Sequence, residues 1–267
     1  MDKAPDPITH VEVKAWRGRF VEMDRKLPEE SAVALSYDRV TFAVMMASPQ
    51  DLQDFAVGFS LSEGIIQSPD EILSYELAVL PLGLECRMEL QPNRREALEA
   101  RRRRIAGPVG CGLCGMDSLI EAIKPPKPVH SAITVPADKI QAAIRRLPEL
   151  QVLNRETRAV HAAAFYTPED DALIVREDVG RHNGLDKLIG AVKRAGRQGP
   201  EGVVLLTSRV SIELIQKTAA LGAGIIVAVS VPSARAVREA EAAGMTLIAV
   251  ARDDGFEIFT HPERITG

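Results

Sequence analysis

The sequence predicts an α/β protein in two parts, a mixed α+β N-terminal domain over residues 1–129 and an α/β domain over 130–267. Three observations carry this. The apolar runs "GVVLLTS", "GIIVAVSV" and "MTLIAVAR" alternate with amphipathic segments of helical period, which argues for a buried, largely parallel sheet covered by helices. The first half instead mixes short alternating runs with separate helical stretches. Between them lies "KPPKPVH", residues 124–130, whose three prolines stop a helix and favour an extended connection.

The elements follow in order. "AVALSYDRVTFAVMMAS" reads as two strands about a polar Tyr-Asp-Arg turn. "SPQDLQDFAVGFSLSEGII" reads as a helix, with Ser48 as N-cap, Pro49 at the first helical position, and Leu52, Phe55 and Phe59 at helical spacing. "YELAVLPLG" and "LECRMELQ" are short strands, and "NRREALEARRRR" is a helix whose arginines complement the negative end of its dipole. "PADKIQAAIRRL" is helical, and "RAVHAAAFYT" and "DALIVRED" are strands joined by "PED". A helix starting near Asn183 follows, then two strand–helix alternations and a last strand, "MTLIAVAR".

Composition sets outer limits. A chain of 267 residues with 46% hydrophobic and 26% charged residues can bury a core without covalent staples. Net charge of −4 weighs against a dedicated nucleic-acid binder. The N-terminal stretch has no apolar core of a secretory signal, and the longest apolar run, "GAGIIVAVSV", is too short to span a bilayer. The expectation is a protein of the reducing cytoplasm, with neither membrane nor nucleic acid as partner. In that setting the pair Cys111 and Cys114 of "GPVGCGLCGMDSL" is chemical rather than a disulfide staple.

Met116, Leu119, Ile120 and Ile123 form one helix face, so the two cysteines sit in a glycine loop feeding a helix N-terminus. Free backbone N–H groups and the positive dipole end there stabilise a thiolate. Three chemical readings, metal, redox and sulfur carrier, stand beside a bland one. A structural zinc site wants four ligands, and neither a second CxxC nor histidines at ligand spacing is present. A zinc deaminase needs H-x-E before its P-C-x-x-C; here His161 follows the cysteines and Ala163 stands at the glutamate position, so no metal is expected. A thioredoxin-like pair wants a βαβ context. A sulfur carrier needs an activated thiolate on a mobile loop. The remaining reading is a glycine turn with two buried thiols.

A second constellation is "VREDVGRHNGLDKLIGAV", residues 175–192. Leu185, Leu188, Ile189 and Val192 make an apolar face, Asn183 is a suitable cap, and Arg176, Asp178, Arg181, His182 and Lys187 crowd the helix start. Such a start is an anion site, or else a capped helix with surface ion pairs. Its position after the strand "DALIV" favours a ligand, because open α/β sheets bind at the C-terminal ends of strands. Other strand ends are also polar: Thr207, Ser208 and Arg209, then Ser230 and Ser233, then Arg252. Together they suggest a cleft for a phosphorylated ligand, without a Walker loop or G-x-G-x-x-G.

The pieces "DLQDFAVGFSLSEGII", "GCGLCG", "HAAAF", "REDVGRHNGLDK", "SIELIQKTAALG", "VAVSVPS" and "THPERI" occur in an order that resembles the FdhD family of formate dehydrogenase accessory sulfurtransferases. The resemblance implies a cytidine-deaminase-like three-layer α/β C-terminal domain with the cofactor cleft, and a homodimer. It implies that sulfur from a cysteine desulfurase is carried as a persulfide on Cys111 and passed to the bis-molybdopterin guanine dinucleotide cofactor of formate dehydrogenase. Cys114 matches the second cysteine of the motif. The guanine dinucleotide is implied at the loop Val250, Ala251, Arg252, Asp253, Asp254 and Gly255, with Asp178, Arg181, His182, Asn183, Ser208 and Arg209 shaping the cleft. Asp253 and Asp254 depart from the family pattern and would repel a phosphate. The other reading is a chaperone that binds and inserts the cofactor without moving sulfur.

Overall fold

The computed structural model describes residues 3–105 and 125–267. The predicted cysteine loop and the helix after it fall outside these residues. The chain begins with a β-hairpin that the sequence reading left unassigned, β1 (Ile8–Trp16) and β2 (Phe20–Pro28), paired antiparallel from Ile8↔Pro28 to Trp16↔Phe20. The alternation in "THVEVKAW" was a legible signal for it.

Next comes a four-stranded sheet of β3 (Ser31–Tyr37), β4 (Val40–Ala47), β5 (Ile72–Leu80) and β6 (Gly83–Leu90), in the order β4-β3-β6-β5. Asp38 and Arg39 turn β3 into β4 with positive φ, as the Tyr-Asp-Arg reading expects of a tight turn. One face buries Val33, Leu35, Tyr37, Leu84, Cys86 and Met88 against α1 (Leu52–Ser62), whose Phe55 and Phe59 point into that core. The helix α2 (Pro92–Ile105) follows β6.

The C-terminal part has three layers, as the resemblance implies. Its six-stranded sheet has the order β13-β12-β11-β10-β8-β9. These strands are β8 (His161–Thr167), β9 (Ala172–Asp178), β10 (Val203–Leu206), β11 (Ile225–Ala228), β12 (Thr246–Arg252) and β13 (Gly255–Thr260). Strand alternation sorts the side chains to two faces. Ala163, Phe165, Val204, Leu206, Ile226 and Leu247 pack under α5 (Arg181–Arg194), α6 (Ile212–Leu221) and α7 (Ala234–Ala242). Ala164, Tyr166, Val203, Leu205, Ile225 and Val227 pack under α3 (Ala137–Leu150). The short pair β7 (Val135–Pro136) and β14 (Ile265–Thr266) and the helix α4 (Val152–Thr157) complete the fold. No described helix is long and apolar enough to cross a membrane.

The sheet is less parallel than the sequence suggests. Only β10, β11 and β12 run parallel; β8, β9 and β13 join antiparallel. A tight connection turns β8 into β9, and a two-residue turn brings β13 back along β12, so neither needs a crossover helix. The helix starts also shift. α1 begins at Leu52 behind Asp51, which has φ 54°, and not at Ser48. α5 begins at Arg181 behind Gly180, which places Asn183 inside the first turn rather than at the cap.

The two parts meet where α1 crosses α5. A Cβ on Gly58 would lie 1.7 Å from the Asp186 carbonyl oxygen, and one on Gly190 would lie 1.9 Å from that of Asp54. The two backbones touch, and only glycine permits it. Gly190→Ala is expected to push the helices apart and cost about 1–3 kcal/mol, the usual range for overpacking. A urea midpoint unchanged from the parent would contradict this.

Candidate functional site

One end of the six-stranded sheet gathers the polar residues. The C-terminal ends of β9, β10, β11 and β12 share it with the N-terminal end of β8, because β8 runs antiparallel to β10 and β9. This places His161, Asp178, Arg181, His182, Thr207, Ser208, Arg209, Ser230 and the 250–255 turn along a single edge. The sequence reading inferred the strand ends one by one; the topology makes them neighbours.

The residues divide into two kinds. Asp178, Asn183 and Lys187 are buried and fully engaged with protein groups. Lys187 Nζ lies 2.7 Å from Asp178 Oδ2 and donates to the Ser48 carbonyl at 2.9 Å. The same Asp178 oxygen accepts from the Ser48 N–H at 3.0 Å, and Oδ1 accepts from Gly180 N–H at 2.7 Å and Asn183 Nδ2 at 3.1 Å. Asn183 Nδ2 also donates to the Met46 carbonyl at 2.8 Å, and the Val179 N–H donates to Ser48 Oγ at 3.2 Å. Ser48, read from sequence as a helix cap, is instead the N-terminal part's contribution to a buried lock. Charge-assisted contacts with every partner satisfied suit such a burial.

Two further networks tie the same helices. Asp54, buried on α1, accepts from Arg176 of β9 at 2.7 Å and from Arg194 of α5. Asp186 of α5 accepts from Ser62 at 2.6 Å and from Lys217 of α6 at 2.9 Å. Asp54 escaped the sequence reading, although an acid beside apolar helix positions in "LQDFAV" was its signal. Glu177 turns away from this end and accepts from the Leu153 and Asn154 N–H groups at 2.7 and 2.8 Å, capping α4; its burial raises its carboxyl pKa.

The other kind faces outward. Arg181 is half-buried, forms no ion pair among the described residues, and holds a buried Nε with no hydrogen-bond partner. His161 and His182 are half-buried beside it. Burial first, and the Arg181 charge second, push both imidazoles below their ordinary pKa. His182 Nε2 lies 3.4 Å from Ser211 Oγ and 3.9 Å from a Glu213 carboxylate oxygen. Thr207 continues the β8–β10 ladder by accepting from the Ala162 N–H at 2.8 Å. Ser208 is buried and donates to its neighbour's carbonyl, while Arg209 is exposed.

The 250–255 turn lies on the same edge, three strand spacings or about 15 Å from β8. Val250 has φ 53°, a region β-branched residues seldom enter, at a break in the β12–β13 register between Ala249 and Arg252. Ala251 is buried, and Arg252, Asp253 and Asp254 are exposed before Gly255. The Arg252 carbonyl accepts from Gln141 and the Asp253 carbonyl from Arg145 at 2.7 Å, so α3 fixes the turn. Those two residues were not foreseen from the sequence. Nothing in their helical pattern marks them.

Cys86 is the described cysteine. It is buried in the four-stranded sheet core, and burial pushes its thiol up to about 11. Cys111 and Cys114 lie outside the described residues.

Comparison with known proteins gives a consistent picture. Residues 28–266 match the FdhD/NarQ family. The chain is 51% identical to the "Sulfur carrier protein FdhD" of Agrobacterium fabrum over 91% of this chain and 90% of that protein. It is 43% identical to the protein of the same name from Cupriavidus necator, over 97% and 91%. A crystal structure from Desulfotalea psychrophila, described as a formate dehydrogenase accessory protein, superposes with a TM-score of 0.76 at 24% identity. It covers 98% of this chain and all of that one, a likeness of fold.

Proposed function

The chain belongs to the FdhD/NarQ family, and from that premise we propose that it is a sulfurtransferase serving formate dehydrogenase. Cys111 accepts sulfur from a cysteine desulfurase as a persulfide. The protein then passes that sulfur to the bis-molybdopterin guanine dinucleotide cofactor, which it binds as substrate. The observation that carries this reading is the 51% identity, across nine-tenths of the chain, to a protein named a sulfur carrier, in a sequence that holds the "CGLCG" pair.

The chemistry is thiol exchange. The Cys111 thiolate attacks the outer sulfur of the donor's persulfide. The donor's S–S bond breaks, its cysteine leaves as a thiolate, and Cys111 keeps the outer sulfur as its own persulfide. A low thiol pKa favours the attacking form at neutral pH. Cys86 is unsuited to this role, because its buried thiol stays protonated.

The sheet edge supports the substrate half of the reading. A ligand that touches both His161 at the start of β8 and the 250–255 turn must be extended, since about 15 Å separates those strands. Open α/β sheets bind ligands at such an edge. We assign Val250, Ala251, Arg252, Asp253, Asp254 and Gly255, with Arg181, His182, Ser208 and Arg209, to the lining. Asp178 and Asn183 shape it from beneath. Homodimerisation and a cytoplasmic setting are part of the same proposal.

Mass spectrometry tests the sulfur half. After incubation with a cysteine desulfurase and cysteine, the peptide holding Cys111 is expected to gain one sulfur that reduction removes. The peptide holding Cys86 is expected to gain none. A competent donor that leaves Cys111 unmodified would move the assignment to a chaperone that inserts cofactor without moving sulfur.

A further inference from the structure

We propose that His161, Arg181 and His182 form a subsite for a pyrophosphate diester, apart from the 250–255 turn. The inference rests on the substrate half of the reading above and deepens it. It says which part of a dinucleotide this end of the edge takes.

The argument begins with an orphan. Arg181 stands at the start of α5, where backbone N–H groups and the helix dipole already favour an anion. Its Nε is buried without a partner, although nearly every buried donor in a folded protein is paired. Four cations on the surrounding elements each have a carboxylate. Lys187 has Asp178, Lys217 has Asp186, and Arg176 and Arg194 share Asp54. Arg181 forms no ion pair among the described residues, and its charge acts on Glu213 only from beyond ion-pair distance, so its Nε is a donor open to a ligand.

The imidazoles add to this. The first turn of α5 lies against the start of β8: a Cβ on Gly184 would sit 4.0 Å from the His161 carbonyl oxygen and 3.8 Å from Asp178 Cβ. The start of α5 thus lies beside the start of β8, and the Arg181 charge is close enough to act on the His161 ring. Arg181 acts on His161 from α5, and Asp178 is its register partner on β9, with both carboxylate oxygens already accepting hydrogen bonds. His182 faces Arg181 and Asp186 on its own helix, and Glu213 and Lys217 on α6. Burial first, and the Arg181 charge second, disfavour the charged form of both rings in the free protein.

An arriving anion reverses that balance. A pyrophosphate diester carries two negative charges. Arg181 supplies one positive charge, and one imidazole taking up a proton supplies the second. Binding is then tightest at low pH and weakens as pH rises. The 250–255 turn suits phosphate less well, since Asp253 and Asp254 are exposed on it.

The test is calorimetric titration of the full chain with diguanosine pyrophosphate, whose own charge is constant between about pH 6 and 8, the range in which a histidine titrates. The parent is expected to bind with proton uptake, seen as a heat that depends on the buffer's ionisation enthalpy. Arg181→Gln is expected to weaken binding about tenfold or more, with an unchanged thermal midpoint because the Arg181 side chain forms no hydrogen bond or ion pair among the described residues. His161→Gln with His182→Gln is expected to abolish the proton uptake and reads the same subsite should the arginine variant fold poorly. No binding by the parent, equal binding by Arg181→Gln, or proton uptake that survives loss of both histidines would each overturn the inference. None of these results touches persulfide formation on Cys111, which stands or falls by mass spectrometry.

Discussion

Cys111→Ala is expected to abolish sulfur loading and, with it, formate dehydrogenase activity in cells that depend on this chain. The expected loss is complete rather than partial, because the proposal places the persulfide on Cys111 and the buried Cys86 is unsuited to replace it. Cys86 lies in the core between β3 and β5, with its thiol pushed up to about 11 and held 3.6 Å from the Tyr75 hydroxyl. The measurement is formate dehydrogenase activity in a strain that carries the variant as its sole copy, with Cys86→Ala beside it. Cys86→Ala should keep activity and lose only packing. Full activity from Cys111→Ala would remove the sulfur-transfer reading and leave the chaperone reading, under which the variants that matter are those at Arg181 and Arg252.

Lys187→Ala is expected to be the most damaging substitution for stability in the described residues. The ammonium is fully buried and bonds to Asp178 and to the Ser48 carbonyl. Without it, the fully buried Asp178 loses its ion-pair partner among the described residues. Breaking one side of a buried pair typically costs about 3–5 kcal/mol, a large share of the roughly 5–15 kcal/mol that holds a domain folded. The Ser48 and Asn183 contacts join the two parts of the chain through this same pair, so the loss should loosen the α1–α5 contact as well. Urea unfolding followed by tryptophan fluorescence and by circular dichroism reads both effects. The variant should unfold at lower urea, and the two probes should separate if the parts come apart. A midpoint within error of the parent would show that the lock contributes little.

Several features were legible in the residues themselves. The alternation of Val33, Leu35 and Tyr37 marks a half-buried strand, and the unbroken apolar runs 203–206 and 225–228 mark central strands covered on both faces. The "CGLCG" pair and the "EDVGRHNGLDK" stretch carry the family, and the comparisons agree. The β1–β2 hairpin was also within reach of pattern reading, through its strict alternation.

What the chain's own order determined is local: strand and helix periods, the proline break, the chemical kind of each candidate residue, and the family. Only the tertiary structure decided how the charged residues of 176–187 divide. From sequence they form one polar cluster at a helix start. In the fold, Asp178, Asn183 and Lys187 turn inward to meet Ser48 and Met46 from 130 or more residues away, while Arg181 and His182 are left facing outward. The reason is geometric. A helix of 3.6 residues per turn sends neighbours in sequence to different faces, and which face is buried depends on the element that packs against it. Here that element is α1, which lies flush on α5 because Gly58 and Gly190 carry no side chains to hold it off.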